Sequence, residues 1–276
     1  MILGIVSNCW RWQLGNGESL DSLIAEAVRR DLRTVELRQN CLGHYESADH
    51  YLPDADALAE LPRQFPGIRF NVAVSCPCLN PETLPDDPVF LAGKWSAQSV
   101  AGEFPPHLRL VDLDTTTEQL RQFGHVVVGS TMARLCRSLD DIDGVLSVEN
   151  AFQSWTPFRE AFFSARNQLG PKIDQLRLCF DPCNLLFAQD GTDPTTVTAS
   201  LSADELSMVH FKQSRQGRVF PAISKGEIDW SVLVSLMDER HFSVPGLFEV
   251  EPHKRVWEYL DGSLEFLRRL GLNVES

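Results

Sequence analysis

Short apolar runs recur along the chain at a spacing of about one strand plus one helix. They lie at residues 2–6, 34–37, 68–74, 108–113, 144–148, 176–180, 206–211 and 247–250. Parallel strands that are covered on both faces read as nearly continuous apolar runs of this kind. The pattern therefore predicts eight buried parallel strands.

Amphipathic segments separate most of these runs. In residues 19–30, Leu20, Leu23, Ile24 and Ala27 recur at helical spacing. Further helices are predicted at residues 55–61, 116–139, 158–168, 230–239 and 257–270. The intervals 80–105, with several prolines, and 184–204, rich in Thr, Asp and Ser, predict long loops or short helices.

This alternation predicts the α/β fold class and, within it, a single-domain (β/α)8 TIM barrel over residues 1–276. A barrel of this type occupies about 250 residues, which fits the length of the chain. A doubly wound open sheet is the alternative. It is disfavoured because neither G-x-G-x-x-G nor the P-loop motif follows the first strand.

Composition narrows the choice of partners and compartment. The net charge of −13 and the lack of a dense Lys/Arg cluster argue against nucleic acid. Seven cysteines without zinc-ribbon spacing indicate a reducing cytoplasm, and we interpret Cys76-Pro77-Cys78 as an ordinary loop. No run approaches the roughly 18 apolar residues of a membrane span, so we expect no membrane partner. The outer helices permit a homo-oligomer.

Ionisable side chains end the last four predicted strands: Glu149, Asp181, His210 and Glu249. In a parallel barrel these ends meet at the carboxyl face. One such residue alone is more often a helix cap or an ion-pair partner. Four on successive strands would crowd carboxylates that need a compensating cation. We therefore predict one divalent metal ion, preferably Mn²⁺, with Mg²⁺, Co²⁺ or Zn²⁺ also admissible.

Four segments carry a resemblance to a known superfamily: residues 147–150, 179–184, 209–213 and 226–230. They resemble the xylose isomerase-like barrels, which include ketose 3-epimerases, hydroxypyruvate isomerase, inosose dehydratase and endonuclease IV-type nucleases. The similarity extends from the first strand to Glu251.

The resemblance implies that the four strand-end residues hold the metal and that two of them act on the substrate. Glu149 and Glu249 would flank one substrate carbon, one removing a proton and the other returning it through an enediolate. Lys212 and Arg218 would contact substrate oxygens, and Glu36 would complete the mouth of the barrel.

Several positions modify this expectation. Asn184 stands where many members have a histidine, and Gln213 replaces the aspartate of an H-x-K-D motif. Both are expected on the substrate side, with Asn184 binding substrate. Glu251 is an alternative last ligand, since it shares a strand face with Glu249. Trp12 is a candidate apolar wall for a sugar.

The other early polar residues are given ordinary interpretations. Trp10 is expected in loop or core packing as readily as in the site. His44, His50 and His107 are expected as exposed loop histidines.

The function that fits best is isomerisation or epimerisation of a small keto-sugar or polyol-like substrate. Proton removal followed by loss of a β-hydroxyl or glycosyl group would instead give a dehydratase or lyase. An endonuclease IV-like phosphodiesterase is disfavoured by the negative charge. A non-catalytic carbohydrate-binding barrel is the remaining alternative.

Overall fold

Eight parallel strands close into a barrel, which confirms the predicted architecture. A computed structural model describes residues 1–274. The barrel strands are β1 (Leu3–Val6), β2 (Thr34–Arg38), β3 (Arg69–Ser75), β4 (His107–Val111), β5 (Val145–Glu149), β6 (Leu176–Phe180) and β7 (Leu206–Phe211), followed after the hairpin β8 (Ser214–Arg215) and β9 (Arg218–Val219) by β10 (Gly246–Phe248). β10 pairs with both β7 and β1, and this closes the ring.

Helices surround the barrel and follow most of its strands. They are α1 (Arg11–Gly15), α2 (Leu20–Arg29), α3 (Ala55–Leu58), α4 (Leu61–Gln64), α5 (Pro88–Ser99), α6 (Thr117–Phe123), α7 (His125–Arg137), α8 (Trp155–Leu169), α9 (Pro182–Phe187), α10 (Pro194–Ser200), α11 (Trp230–Glu239) and α12 (Val256–Arg269). No helix within residues 1–274 is long and apolar enough to cross a membrane.

One predicted helix is two helices in the structure. The segment 116–139 divides into α6 and α7 at Gly124, whose φ of +79° ends the first helix. Glycine adopts this left-handed region without the penalty that a side chain incurs. The predicted helix 55–61 is likewise divided, into α3 and α4.

The proline-rich interval 80–105 contains the twelve-residue helix α5, longer than the short helices expected there. Asp87 caps it by accepting hydrogen bonds from the backbone of Val89 and Phe90, at 2.9 and 3.1 Å. Pro88 occupies the first turn, where its missing N–H leaves no hydrogen bond unmade. The interval 184–204 holds the end of α9, the short α10 and the start of a 3-10 helix at Ala203–Glu205, as predicted.

The hydrophobic core lies mainly between the barrel and its helices. A smaller cluster inside the barrel comprises Val6, Cys179, Met208 and Leu247, and it forms an apolar layer within the ring. All seven cysteines are free and buried, which agrees with the absence of a disulfide framework.

Candidate metal centre

The four predicted ligands converge at the carboxyl end of the barrel. Glu149 ends β5, Asp181 directly follows β6, His210 lies in β7, and Glu249 directly follows β10. Each offers a ligand atom within 4.8 Å of the other three. Within residues 1–274, every cluster of three or more candidate ligands contains Glu149 and His210. The donors therefore gather at one centre.

Asp181 is positioned by its surroundings rather than by the strand alone. Its Oδ1 accepts hydrogen bonds from the backbone of Cys183 and Asn184 and thereby caps α9. The Asn150 side chain bonds both the N–H and the C=O of Asp181, at 2.9 and 2.8 Å. The aspartate is thus fixed before any cation binds.

The His210 ring joins two layers of the site. Its Nδ1 lies 3.3 Å from Glu249 Oε2 and 3.6 Å from Glu149 Oε1. Its Nε2 faces Cys179 Sγ at 3.3 Å and Glu36 at 3.6 Å. His210 Nδ1 is buried without a hydrogen-bond partner, and Glu249 Oε2 beside it is buried in an ion pair with Lys212. With His210 neutral, these two atoms side by side fit a shared cation, so the residues match a divalent metal.

The chain also supplies cations of its own. Arg109, fully buried in β4, forms ion pairs with both Glu149 and Glu36. Lys212 Nζ lies 2.7 Å from Asp181 Oδ2 and 2.6 Å from Glu249 Oε2. The carboxylates are therefore partly compensated, and a metal ion must compete with Lys212 for two of its ligands.

The protonation of the carboxylates follows from these contacts. Burial raises the pKa of Glu249, but Lys212, His210 and Arg109 together outweigh burial and hold that pKa well below its ordinary value. For Glu149, Arg109 and His210 together outweigh burial and lower the pKa. For Asp181, burial prevails over Lys212 and raises the pKa. The two glutamates are thus ionised bases at neutral pH.

The pKa values of two cationic groups, His210 and Lys212, are raised although burial alone would lower them. Burial lowers the pKa of His210, but contacts with Cys179 and with the site glutamates outweigh it and raise that pKa well above its ordinary value. For Lys212, Asp181 and Glu249 outweigh burial and raise the pKa well above its ordinary value. Metal binding must therefore displace a proton from His210.

Glu36 lies below the centre and not at the mouth where it was expected. It is fully buried, accepts a hydrogen bond from Asn71 Nδ2 at 2.7 Å, and does not line the cavity. Burial raises its pKa, but Arg109 and His210 outweigh burial and lower the pKa. Glu36 therefore serves as a counter-charge that orients Arg109 and His210.

A cavity of about 250 Å³ opens above the four predicted ligands. Lys212 and Asn184, which the sequence predicts to bind substrate, line it together with Glu149 and Glu249. Asn184 Nδ2 donates to Glu149 Oε1 at 3.0 Å. The full lining is Asn8, Arg11, Arg38, Arg109, Val111, Leu113, Glu149, Ala151, Phe152, Asn184, Phe187, Lys212 and Glu249.

Besides the buried Glu36, three residues predicted in the site are exposed and lie outside this cavity. Trp12 is 43% exposed on α1, and Arg218 is exposed on the β8–β9 hairpin. Glu251 is also exposed, because β10 ends at Phe248 and the strand alternation that would align Glu251 with Glu249 does not continue. The centre therefore contains Glu249 and not Glu251.

Gln213 does not face the substrate side as expected but supports the loop behind Lys212. Its side chain bonds the backbone of Ser224 and Ile228. A Cβ at Gly226 would lie 2.3 Å from Gln213, so glycine is needed for this approach. Trp230 donates to the Lys212 carbonyl at 3.1 Å. The segment 226–230 thus positions Lys212.

Several site residues gave no signal in the sequence. Arg109 lies inside the apolar run of β4. Arg38 is the last residue of β2 and Arg11 is the first residue of α1, and the sequence analysis selected neither as a site residue. Asn8 Nδ2 donates to Glu249 Oε1 at 2.7 Å. His107, expected on an exposed loop, is instead a buried residue of β4. A clue was available for Arg38, because residues two apart on a strand face the same side and Arg38 therefore shares the inward face of β2 with Glu36.

Comparison with known proteins identifies the fold. No family model and no protein of curated function matches the sequence. Solved structures match over nearly the whole chain: the IOLI protein with a binding zinc atom has a TM-score of 0.68 at 15% identity, covering 98% of this chain and 96% of that one. A D-tagatose 3-epimerase-like protein has 0.64 at 13%, covering 98% of each.

A third similar structure is the probable 3-DHS dehydratase AsbF, involved in petrobactin synthesis, from Bacillus anthracis. Its TM-score is 0.69 at 12% identity, covering 97% of this chain and 99% of that one. The chain therefore has the fold of the xylose isomerase-like TIM barrels, as the sequence motifs predicted.

Proposed function

We propose that the protein is a divalent-metal-dependent isomerase or epimerase of a small keto-sugar or polyol-like substrate. The observation that carries this proposal is the convergence of Glu149, Asp181, His210 and Glu249 below one cavity, with the unpartnered His210 Nδ1 buried beside Glu249 Oε2. The zinc of the IOLI structure, on the same fold, is consistent with it. A set of three carboxylates and one imidazole suits Mn²⁺ or Mg²⁺ and also admits Co²⁺ or Zn²⁺.

The four ligands would hold the ion, which when bound would polarise a substrate carbonyl and stabilise the charge that develops on its oxygen. Glu249 would accept the proton from the adjacent carbon, since its carboxylate is ionised and lines the cavity. Glu149, held by Arg109 and Asn184, returns a proton from its own side of the cavity. Lys212 binds a substrate oxygen.

Metal binding is tested with the Glu249→Gln variant. Loss of one charged ligand is expected to weaken Mn²⁺ affinity by about 10- to 100-fold in calorimetry, with retained folding. Glu251→Gln is the matched control, because this exposed glutamate lies one strand repeat away and should leave affinity unchanged. If wild-type protein binds no divalent ion, or if the two variants behave alike, the metal centre is refuted.

The reaction is tested by NMR in D₂O with a panel of keto-sugars and keto-polyols. Epimerisation or isomerisation places deuterium on the carbon next to the carbonyl without loss of water. Wild-type protein should show this exchange and Glu249→Gln should not. A Mn²⁺-loaded protein inert to the whole panel would contradict the activity while leaving the metal centre intact.

A dehydratase is the second candidate, favoured by the position of Lys212. Its ammonium lies 2.6 Å from Glu249, so it can hydrogen-bond to a departing hydroxyl on the carbon next to the one that loses its proton. The same NMR experiment distinguishes the reactions, because dehydration gives a new alkene resonance and releases water.

A further inference from the structure

The cavity above the metal centre is cationic on a chain that is strongly acidic. Four of the residues that line it are basic, namely Arg11, Arg38, Arg109 and Lys212, and two are carboxylates, Glu149 and Glu249. The whole chain carries a net charge of −13. A basic lining on such a chain concentrates the field at the cavity and attracts anions.

Two of these cations have no carboxylate partner. Arg109 and Lys212 are paired with the site carboxylates, whereas neither Arg11 nor Arg38 lies within 4 Å of a carboxylate oxygen in residues 1–274. Arg38 uses one N–H group, Nη2, to bond Ser75 Oγ at 2.7 Å. Its other N–H groups stay available, since a guanidinium carries five.

Arg11 is similarly available. Among residues 1–274 its single side-chain hydrogen bond runs from Nη2 to Cys41 Sγ at 3.6 Å, and sulfur is a weak acceptor. The nearby Glu46 interacts with Arg11 electrostatically but forms no ion pair with it, and the Glu46 carboxylate accepts hydrogen bonds from the backbone of Asn40 and Leu42. Two guanidinium groups therefore line one cavity with unfilled donors.

We propose that Arg11 and Arg38 form a subsite for an anionic group of the substrate, a carboxylate or a phosphate. The proposal rests on the proposed function, since it narrows the substrate to an acidic or phosphorylated sugar whose hydroxyl or keto oxygens reach Lys212 and the predicted ligands. Guanidinium groups recognise both anions by paired N–H···O bonds. A neutral sugar would leave these arginines without partners in a partly dehydrated cavity.

The test measures binding without metal or turnover, so that its outcome is separate from the proposed chemistry. Calorimetry on the full chain in EDTA compares D-gluconate, D-glucose 6-phosphate and neutral D-sorbitol. At least one anionic probe should bind about ten-fold or more tightly than sorbitol. Preference for gluconate identifies the carboxylate as the group recognised, and preference for the sugar phosphate identifies the phosphate.

Variants assign the effect to the two arginines. Arg38→Met and Arg11→Met should each weaken binding of the preferred anion by about ten-fold and leave sorbitol unchanged, while Arg38→Lys retains part of the affinity. Arg121→Met, an exposed arginine on α6, is the control. Melting temperatures confirm that the variants are folded.

Three results would overturn the subsite: sorbitol binding as tightly as both anions, no detectable binding of either anion, or full affinity in both methionine variants. Anion binding by a protein that turns over no sugar would instead leave the subsite standing and refute the isomerase. Turnover of neutral keto-sugars with unaltered kinetics in Arg38→Met would instead support the isomerase and refute the subsite.

Discussion

His107 gives the protein a defined sensitivity to acid. Its Nε2 lies 2.6 Å from Ser147 Oγ, and Ser147 in turn donates to Ser207. Burial, aided by Arg69, lowers the pKa of His107 from 6.5 to about 3. The folded protein therefore keeps this imidazole neutral above about pH 3.

The pKa shift converts directly into a free energy of unfolding. Below pH 6.5 the unfolded chain binds a proton at His107 that the folded chain does not bind, so stability is fully present above pH 6.5 and falls as the pH drops toward 3. With these two pKa values the loss between pH 7.5 and pH 5 is about 2 kcal/mol.

The assay is urea unfolding of wild type and His107→Gln at pH 7.5 and 5.0 in EDTA. Glutamine keeps a donor for Ser147 but does not titrate, so the wild type should lose about 2 kcal/mol more than the variant over this interval. The opposite contribution of His210, whose pKa is raised, cancels in the difference. Exposed His50→Gln should follow the wild type. Equal losses in wild type and His107→Gln would refute the reasoning.

Three further substitutions examine the supports of the site. Lys212→Met should tighten Mn²⁺ binding by at least about ten-fold in calorimetry, because it removes a cation that competes for Asp181 and Glu249; unchanged or weaker binding would contradict that competition. Arg109→Met should lower the free energy of unfolding in urea by about 3 to 5 kcal/mol, since its buried carboxylate partners lose their counter-charge, and a near-neutral effect would contradict it. Gly226→Ala should lower the free energy of unfolding by about 1 to 3 kcal/mol in the same assay, because the new methyl group would collide with the Gln213 side chain. Full stability in this variant would contradict the prediction and show that the loop can move aside.

The barrel and the convergence of the four strand-end residues were predictable because both depend on periodicity. Apolar runs define strands covered on both faces, and a polar residue that ends such a run must lie at the carboxyl face. Asp181 and Glu149 follow this logic directly. Glu249 did not, since its distinction from Glu251 depends on where β10 stops hydrogen bonding, and this depends on pairing with β1 and β7.

The counter-charges were not predictable from local sequence. Arg109 lies between two leucines and is stabilised only by Glu36 and Glu149, which are distant in sequence. A single chain without its tertiary contacts gives no reason to place an arginine inside a barrel. Gln213 was misplaced for a related reason, because its partners at 224–228 lie beyond a hairpin.

The seven buried thiols allow local unfolding of the chain to be followed by chemical labelling. Burial raises the pKa of each of them, to about 12 for Cys9, Cys136, Cys179 and Cys183. Since thiolates are the reactive form, a thiol-specific dye should modify them only when a segment transiently unfolds. Cys179 lies in the barrel strand β6 and Cys9 closely follows β1, whereas Cys136 lies on the outer helix α7. The order in which these thiols are labelled would therefore distinguish local unfolding of the outer helices from opening of the barrel.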